Sequence, residues 1–277
     1  MLTRVLSIFD CNDMSGRGHS TRQQELAVSL RKHKIETKFL NSGEILPSEK
    51  FREYDLVIID VPGFRQVDYC PALQSSKISL GFDWYENCLP DYNIVVYEQP
   101  ERIYEAKLQK FVGLEYFVIR DDILKIARHS VNFETDYAFI SLGHSATVDE
   151  YRVAIDYLKK LWDGKILVCL SQNRTGLSEI GTKVIVNPSN FAKLLFESKV
   201  VVTNGGTTMM ESLALGKRTH SFPRSVEEYN FAHSVKQQHP ELNLQIFGSS
   251  VKAKDHPSTL LKVDGVEQIT RIILRII

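Results

Sequence analysis

An α/β protein with two domains, each built on a parallel sheet covered on both faces, is the fold class that the sequence predicts. Three observations carry it. Short apolar, β-branched runs such as Asp55–Val61 (DLVIIDV) and Val200–Val202 alternate with longer stretches of helical spacing. From Arg128 to Asp136 that pattern lapses into polar residues. A second series of strand, glycine-bearing loop and helix then begins, like the series that opens the chain. The expectation is a domain over 1–130, a second over 137–265 and a terminal helix over 266–277, with the two domains facing a cleft.

Each element has its own signal. Arg4–Phe9 is apolar and β-rich, and Asp10–His19 follows as a polar loop. Ser20–His33 carries helical spacing through Gln23, Leu26, Ala27 and Leu30. Thr37–Leu40, Asp55–Val61, Lys77–Phe82, Asn93–Tyr97 and the apolar run Tyr116–Ile119 resemble further strands. The second series predicts strands over Tyr137–Leu142, Ile166–Leu170, Val184–Val186 and Thr219–Phe222. Its helices are expected over Val148–Leu161, Phe191–Ser198 (capped by Ser189) and Glu227–Gln238. Val266–Ile277 repeats Ile269, Ile272, Ile273 and Ile276 on one side, as a helix docked on the body would.

The stretch KVVVTNGGTTMMESLALGKR, residues 199–218, is the most informative. Val200–Val202 reads as a buried strand, and Asn204-Gly205-Gly206 breaks it with residues that tolerate positive φ. Thr207 or Thr208 can cap the following helix, and Thr208-x-x-Glu211 has capping-box spacing. Gly216 is placed to end that helix. A strand, a glycine turn and a helix N-terminus present free N–H groups suited to a phosphate or diphosphate. An ordinary turn between strand and helix is the plainer alternative.

Gly16-Arg17-Gly18-His19-Ser20-Thr21-Arg22 opens the first long helix. Its glycines permit close backbone approach, and His19 and Arg22 stand at the helix start, where a catalytic base and an anion contact belong. No third glycine completes a dinucleotide fingerprint, and no acidic residue follows the next strand near Leu40-Asn41, so an NAD site is excluded. Gly143-His144-Ser145 occupies the equivalent turn of the second half, with Thr147-x-x-Glu150 as a capping box.

Lys plus Arg number 34 and so do Asp plus Glu, so no overall field favours nucleic acid or an anionic membrane. Histidine spacing suggests no metal, D-x-D is absent, and no cofactor is expected. Asp121-Asp122 and Asp10-x-x-Asp13 read as solvated turn or capping residues. The four cysteines (Cys11, Cys70, Cys88, Cys169) lack a C-x-x-C pair, which predicts reduced thiols in a soluble, cytosolic protein. Membrane association is not expected, and oligomeric state is left open.

At these motifs the chain resembles the nucleotide-sugar hydrolase of pseudaminic acid synthesis and its spore-coat polysaccharide relatives. GRGHSTRQQELAVSL matches that family's histidine-bearing helix opening, FVIRDDIL the end of its first domain and YAFISLGHS the start of its second. FAKLLFESKVVVTNGGTTMMESLALGKR matches its nucleotide-binding segment. The resemblance implies the glycosyltransferase-B fold, a nucleotide-sugar substrate with UDP favoured, and inverting hydrolysis at the anomeric carbon without a metal. His19 would be catalytic. Gly205, Gly206, Thr207 and Thr208 would hold the diphosphate, with Asn204 beside them and Glu211 on the ribose. Gly16, Arg17, Gly18, Arg22, Gly143, His144 and Ser145 would complete the substrate site. The chain departs from the family's pattern at Gly143-His144, at Val61-Pro62-Gly63 after Asp60, and at Glu227-Glu228. An inverting glycosyltransferase and a catalytically silent binding protein are the competing readings.

Overall fold

The computed structural model describes residues 3–10, 18–44, 46–129, 135–172, 177, 182–248, 261 and 264–277. It divides into two compact units, Met1–Ile119 with Val263–Ile277, and Arg120–Lys262.

The first unit is a six-stranded sheet in the order β2-β1-β3-β4-β5-β6, parallel throughout. Its elements are β1 (Arg4–Phe9), α1 (Gly18–Lys32), β2 (Glu36–Asn41), β3 (Leu56–Asp60), α2 (Cys70–Ser75), β4 (Ser79–Phe82), β5 (Tyr92–Val95) and β6 (Gln109–Val112). The central strands β3 and β4 are buried along their whole length, which is why they read as continuous apolar runs. β6 (QKFV) is an exposed edge strand without that signature, and the sequence pattern misses it. Tyr116–Ile119 forms no strand. Leu114–Tyr116 is a single 3₁₀ turn, and Val118 and Ile119 are buried beyond it.

Two further expectations for this unit are corrected. Asp10 is not a solvated turn residue: it is 1% exposed and accepts Ser42 Oγ at 2.6 Å. Cys70 and Cys88 are not free thiols but form a disulfide. The fold brings the start of α2 beside the loop after β4, a long-range proximity that spacing alone does not reveal. Cys169 is a buried free thiol, pushed up to about 12 by burial, and Cys11 lies outside the described residues.

The second unit carries α3 (Asp121–His129), β7 (Tyr137–Ser141), α4 (Val148–Lys159), β8 (Lys165–Leu170), β9 (Lys183–Val186), α5 (Phe191–Glu197), β10 (Val200–Thr203), α6 (Thr207–Ala214), β11 (Arg218–Ser221), α7 (Val226–Gln238) and β12 (Leu244–Ile246). Its sheet is also parallel and six-stranded, in the order β12-β11-β10-β7-β8-β9. α4 lays Tyr151, Ala154, Ile155 and Leu158 on Ile140, Val168 and Val202, the core of this unit. The boundary falls before α3, ahead of the polar stretch at 128–136, because α3 packs on α5 and α6.

α8 (Gly265–Ile276) closes the chain and belongs to the first unit. Ile269 and Ile273 enter the core beside Leu26 and Leu30 of α1, and Thr270 Oγ1 donates to Ser29 Oγ at 2.9 Å. No helix of the described residues is long and apolar enough to cross a membrane.

Candidate active site

In each sheet the chain order reverses at one place, and open parallel sheets bind ligands at the carboxyl ends of the strands there. In the first unit the reversal lies between β1, which continues to β2 on one side, and β3 on the other. The loops after β1 and β3 therefore flank the same point, and Asp60 ends β3 level with Phe9, the last residue of β1.

Asp60 is fully buried and accepts hydrogen bonds from three side chains of α1. His19 Nδ1 lies 2.6 Å from Oδ1, Arg22 Nε and Gln23 Nε2 donate to Oδ2 at 2.8 and 2.7 Å, and Arg22 Nη2 also reaches Oδ1. Positions 19, 22 and 23 have i, i+3, i+4 spacing, so one face of the first helical turns delivers all three. Ser7 Oγ on β1 donates to Gln23 Oε1 at 2.9 Å and holds that amide in place. Burial opposes the charge on Asp60, but Arg22 and then His19 outweigh it and hold the carboxyl well below the usual range. An ionised carboxylate only accepts, so His19 Nδ1 carries the proton and Nε2 is the basic nitrogen. That nitrogen belongs to a side chain 24% exposed. The pair has the geometry of a base held by an orienting carboxylate.

In the second unit the reversal lies between β7 and β10, which pair with Ser141 level with Thr203. The two glycine turns singled out in the sequence follow these strands. A Cβ added to Gly143, whose φ is 83°, would sit 3.5 Å from Asn204 Nδ2. The helix starts differ. α4 is closed by a capping box, Glu150 N–H on Thr147 Oγ1 at 3.2 Å and Thr147 N–H on Glu150 Oε2 at 2.6 Å. α6 begins at Thr207 with Gly206 as its N-cap and has no side-chain cap. The capping box expected of Thr208 and Glu211 is not formed. α6 thus brings the positive end of its dipole to the reversal point without an internal acceptor. Its other end closes as expected: Gly216 N–H and Lys217 N–H bond to Leu213 and Ser212 carbonyls, each at 3.0 Å, with Gly216 at φ 69°.

Glu211 points into the unit and is 2% exposed. Arg120 Nε and Nη2 donate to its two carboxylate oxygens at 2.7 and 3.3 Å, and the guanidinium lies over the Phe191 ring. Burial raises the Glu211 carboxyl and Arg120 pulls it back. Arg22 is likewise engaged by Asp60 rather than presented to solvent. Gly16 and Arg17 lie outside the described residues.

Sequence reasoning passed over three groups here. Asp60 closes an apolar strand run and carries no motif of its own, so only the fold reveals it as the partner of His19. Glu228 accepts Asn204 Nδ2 at 2.6 Å and Arg224 N–H at 2.7 Å, and Arg224 donates onward to Glu150 Oε1 at 2.9 Å and Ser145 Oγ at 3.1 Å. Glu228 and Arg224 thereby sew together the turns after β7, β10 and β11. Among the described residues, no three His, Cys, Asp or Glu side chains group as metal ligands.

No family model matches the chain. An uncharacterized protein of Methanocaldococcus jannaschii is 26% identical over 264 residues, covering 77% of this chain and 54% of the relative, so the chain spans about half the length of that protein. The structure is similar to the M. jannaschii UDP-GlcNAc 2-epimerase in complex with UDP-GlcNAc and UDP, with TM-score 0.61 and 12% identity over 99% of this chain and 100% of that one. It is also similar to MurG of Acinetobacter baumannii, with TM-score 0.56 and 10% identity over 98% and 91%. The glycosyltransferase SnogD from Streptomyces nogalater gives TM-score 0.55 and 11% identity over 100% and 95%. Two parallel six-stranded sheets with these neighbours place the chain in the glycosyltransferase-B fold class.

Proposed function

We propose that the protein is a metal-independent enzyme that hydrolyses a nucleotide-diphosphate sugar with inversion at the anomeric carbon, in surface polysaccharide or nonulosonic acid synthesis. The observation that carries this reading is the His19–Asp60 pair at a sheet reversal. His19 Nε2 takes a proton from water as the water oxygen bonds to the anomeric carbon. The bond from that carbon to the diphosphate oxygen breaks, and its electron pair leaves with the nucleoside diphosphate. Asp60 stabilises the imidazolium that forms. In the second unit, the uncapped amides of α6 beside Gly205 and Gly206 suit a diphosphate, which supports a nucleotide-diphosphate ligand. The resemblance of GRGHS and TNGGTT to nucleotide-sugar hydrolases supports this, as does a structural neighbour holding UDP-GlcNAc and UDP.

Glu211 contacts a ribose in this reading only if it exchanges Arg120 for the nucleotide. The same pair of residues would deprotonate a sugar hydroxyl as well as water, which keeps an inverting glycosyltransferase as the second reading. Incubation with a panel of UDP-sugars in ¹⁸O-water tests both. Label on the anomeric hydroxyl of an inverted free sugar supports hydrolysis. A product formed only with an added acceptor replaces hydrolysis by transfer, and no turnover together with tight UDP binding leaves a silent binding protein.

A further inference from the structure

β4 ends at Phe82, one strand beyond β3, and Asp83 follows with φ 46°, a left-handed backbone unusual for a residue with a Cβ. The backbone is held there from several sides. Asp83 N–H donates to Ile94 O at 2.8 Å, and Gln66 Nε2 donates to Asp83 O at 3.0 Å. The same amide accepts Tyr85 N–H at 3.0 Å. The carboxylate that this geometry presents is half spent. Oδ1 accepts Val96 N–H at 3.1 Å, while Oδ2 stands 3.7 Å from Arg22 Nη1, beyond hydrogen-bond distance. Arg22 itself is committed to Asp60. Among the described residues no donor lies within hydrogen-bond distance of Asp83 Oδ2, on a side chain 41% exposed, one guanidinium away from the His19–Asp60 pair.

Tyr104 is buried, and its phenol is pushed up to about 12 by burial and then by the Asp83 charge. Tyr85 meets Tyr104 edge-on at 6.0 Å, and Arg102 lies 4.3 Å over the Tyr85 ring. A partly exposed carboxylate with an open acceptor suits a sugar, whose ring hydroxyls donate to it.

We propose that Asp83 is a specificity residue that accepts a hydrogen bond from a ring hydroxyl of the substrate's sugar through Oδ2. This rests on the nucleotide-sugar reading above and adds to it the group that recognises the sugar.

The test is a cycle between protein and substrate. Asp83→Asn retains an acceptor for Val96 N–H, and asparagine adopts the left-handed backbone readily, so the fold is kept. Asp83→Gly removes the carboxylate and the backbone constraint together and serves as the second variant. The kcat/KM of each protein is measured with UDP-N-acetylglucosamine and its 3-deoxy, 4-deoxy and 6-deoxy analogues, and Kd is measured with UDP alone. In the parent, one deletion should lower kcat/KM on the order of ten- to a hundred-fold, the effect of losing a hydrogen bond to a charged group. In both variants that same deletion should cost less than about two-fold, with the UDP Kd unchanged. Equal losses across all four sugars would reduce Asp83 to a structural part and overturn the proposal. A parent that binds UDP but turns over no UDP-sugar would instead overturn the functional reading, and this proposal with it.

Discussion

His19 Nδ1 and Asp60 Oδ1 lie 2.6 Å apart, so a residue in the first turn of α1 is oriented by one that ends β3. This relationship separates binding from chemistry. In His19→Asn the amide Nδ2 takes the place of the ring Nδ1–H and still donates to Asp60, so the fold should persist while the base is lost. UDP affinity should stay within a few-fold and turnover should fall by roughly a hundred-fold or more. Full turnover per folded molecule would remove His19 from catalysis and leave nucleotide binding untouched.

The two glycines before α6 should fail differently. A Cβ at Gly205 would collide with the Glu228 carbonyl oxygen, part of the backbone of α7. Gly205→Ala should therefore destabilise the protein by about 1–3 kcal/mol through overpacking. The three atoms nearest a Cβ at Gly206 all belong to the Asn204 side-chain amide, the first at 3.2 Å, so a side chain rather than backbone must give by a few tenths of an ångström. Gly206→Ala should melt near the parent temperature yet bind UDP more weakly by calorimetry. Loss of stability in both variants with unchanged UDP affinity would reduce this turn to a structural connection.

Arg120 neutralises Glu211, whose side chain is 3% exposed. Arg120→Met should cost about 3–5 kcal/mol at neutral pH, because it leaves a buried carboxylate uncompensated. Burial already raises the Glu211 carboxyl, and loss of the cation raises it further. A raised folded-state pKa means stability that is present at low pH and lost as pH rises through that value. The deficit of the variant should thus shrink as pH falls, and a deficit independent of pH in denaturant titrations would show that lost packing over Phe191 dominates.

His220 on β11 is buried against Tyr157, which meets Phe247 edge-on in turn, with Tyr157 OH 2.9 Å from its Nδ1. Burial, with a smaller contribution from Arg218, lowers its pKa from 6.5 to about 4. A depressed folded-state pKa gives stability that is complete above pH 6.5 and lost as pH falls toward 4, in total about 3 kcal/mol. His220→Phe should flatten that part of the stability profile. An equal slope in parent and variant would assign it to other groups.

Local chemistry made much of this protein legible. Apolar runs set the buried strands, and 3.6-residue spacing set α1, α4 and α7. Gly205-Gly206 and Gly216 bounded α6, and Gly143 and Gly205 marked the turns that lie at the second sheet's reversal. Edge strand β6 escaped because it buries too little to enforce an apolar pattern, and β12 because its three residues are too few to show one. The capping box at Thr147 formed. The one at Thr208 did not, because α6 starts at Thr207 with Gly206 as its N-cap, which puts Thr208 inside the first turn, and Glu211 pairs with Arg120.

By itself, the sequence determined the fold class, the turns at the second reversal and His19 as a candidate base, since each is written in residues close together along the chain. Only the tertiary structure decided what those residues meet. Parallel pairing of β1 with β3 carried Asp60 to His19, and left-handed Asp83 stands one strand further on. The approach of α2 to the loop after β4 joined Cys70 to Cys88, and α8 returned Ile269 and Ile273 to the first core. Such partners are chosen by burial and charge balance across long sequence separations, which local periodicity does not record.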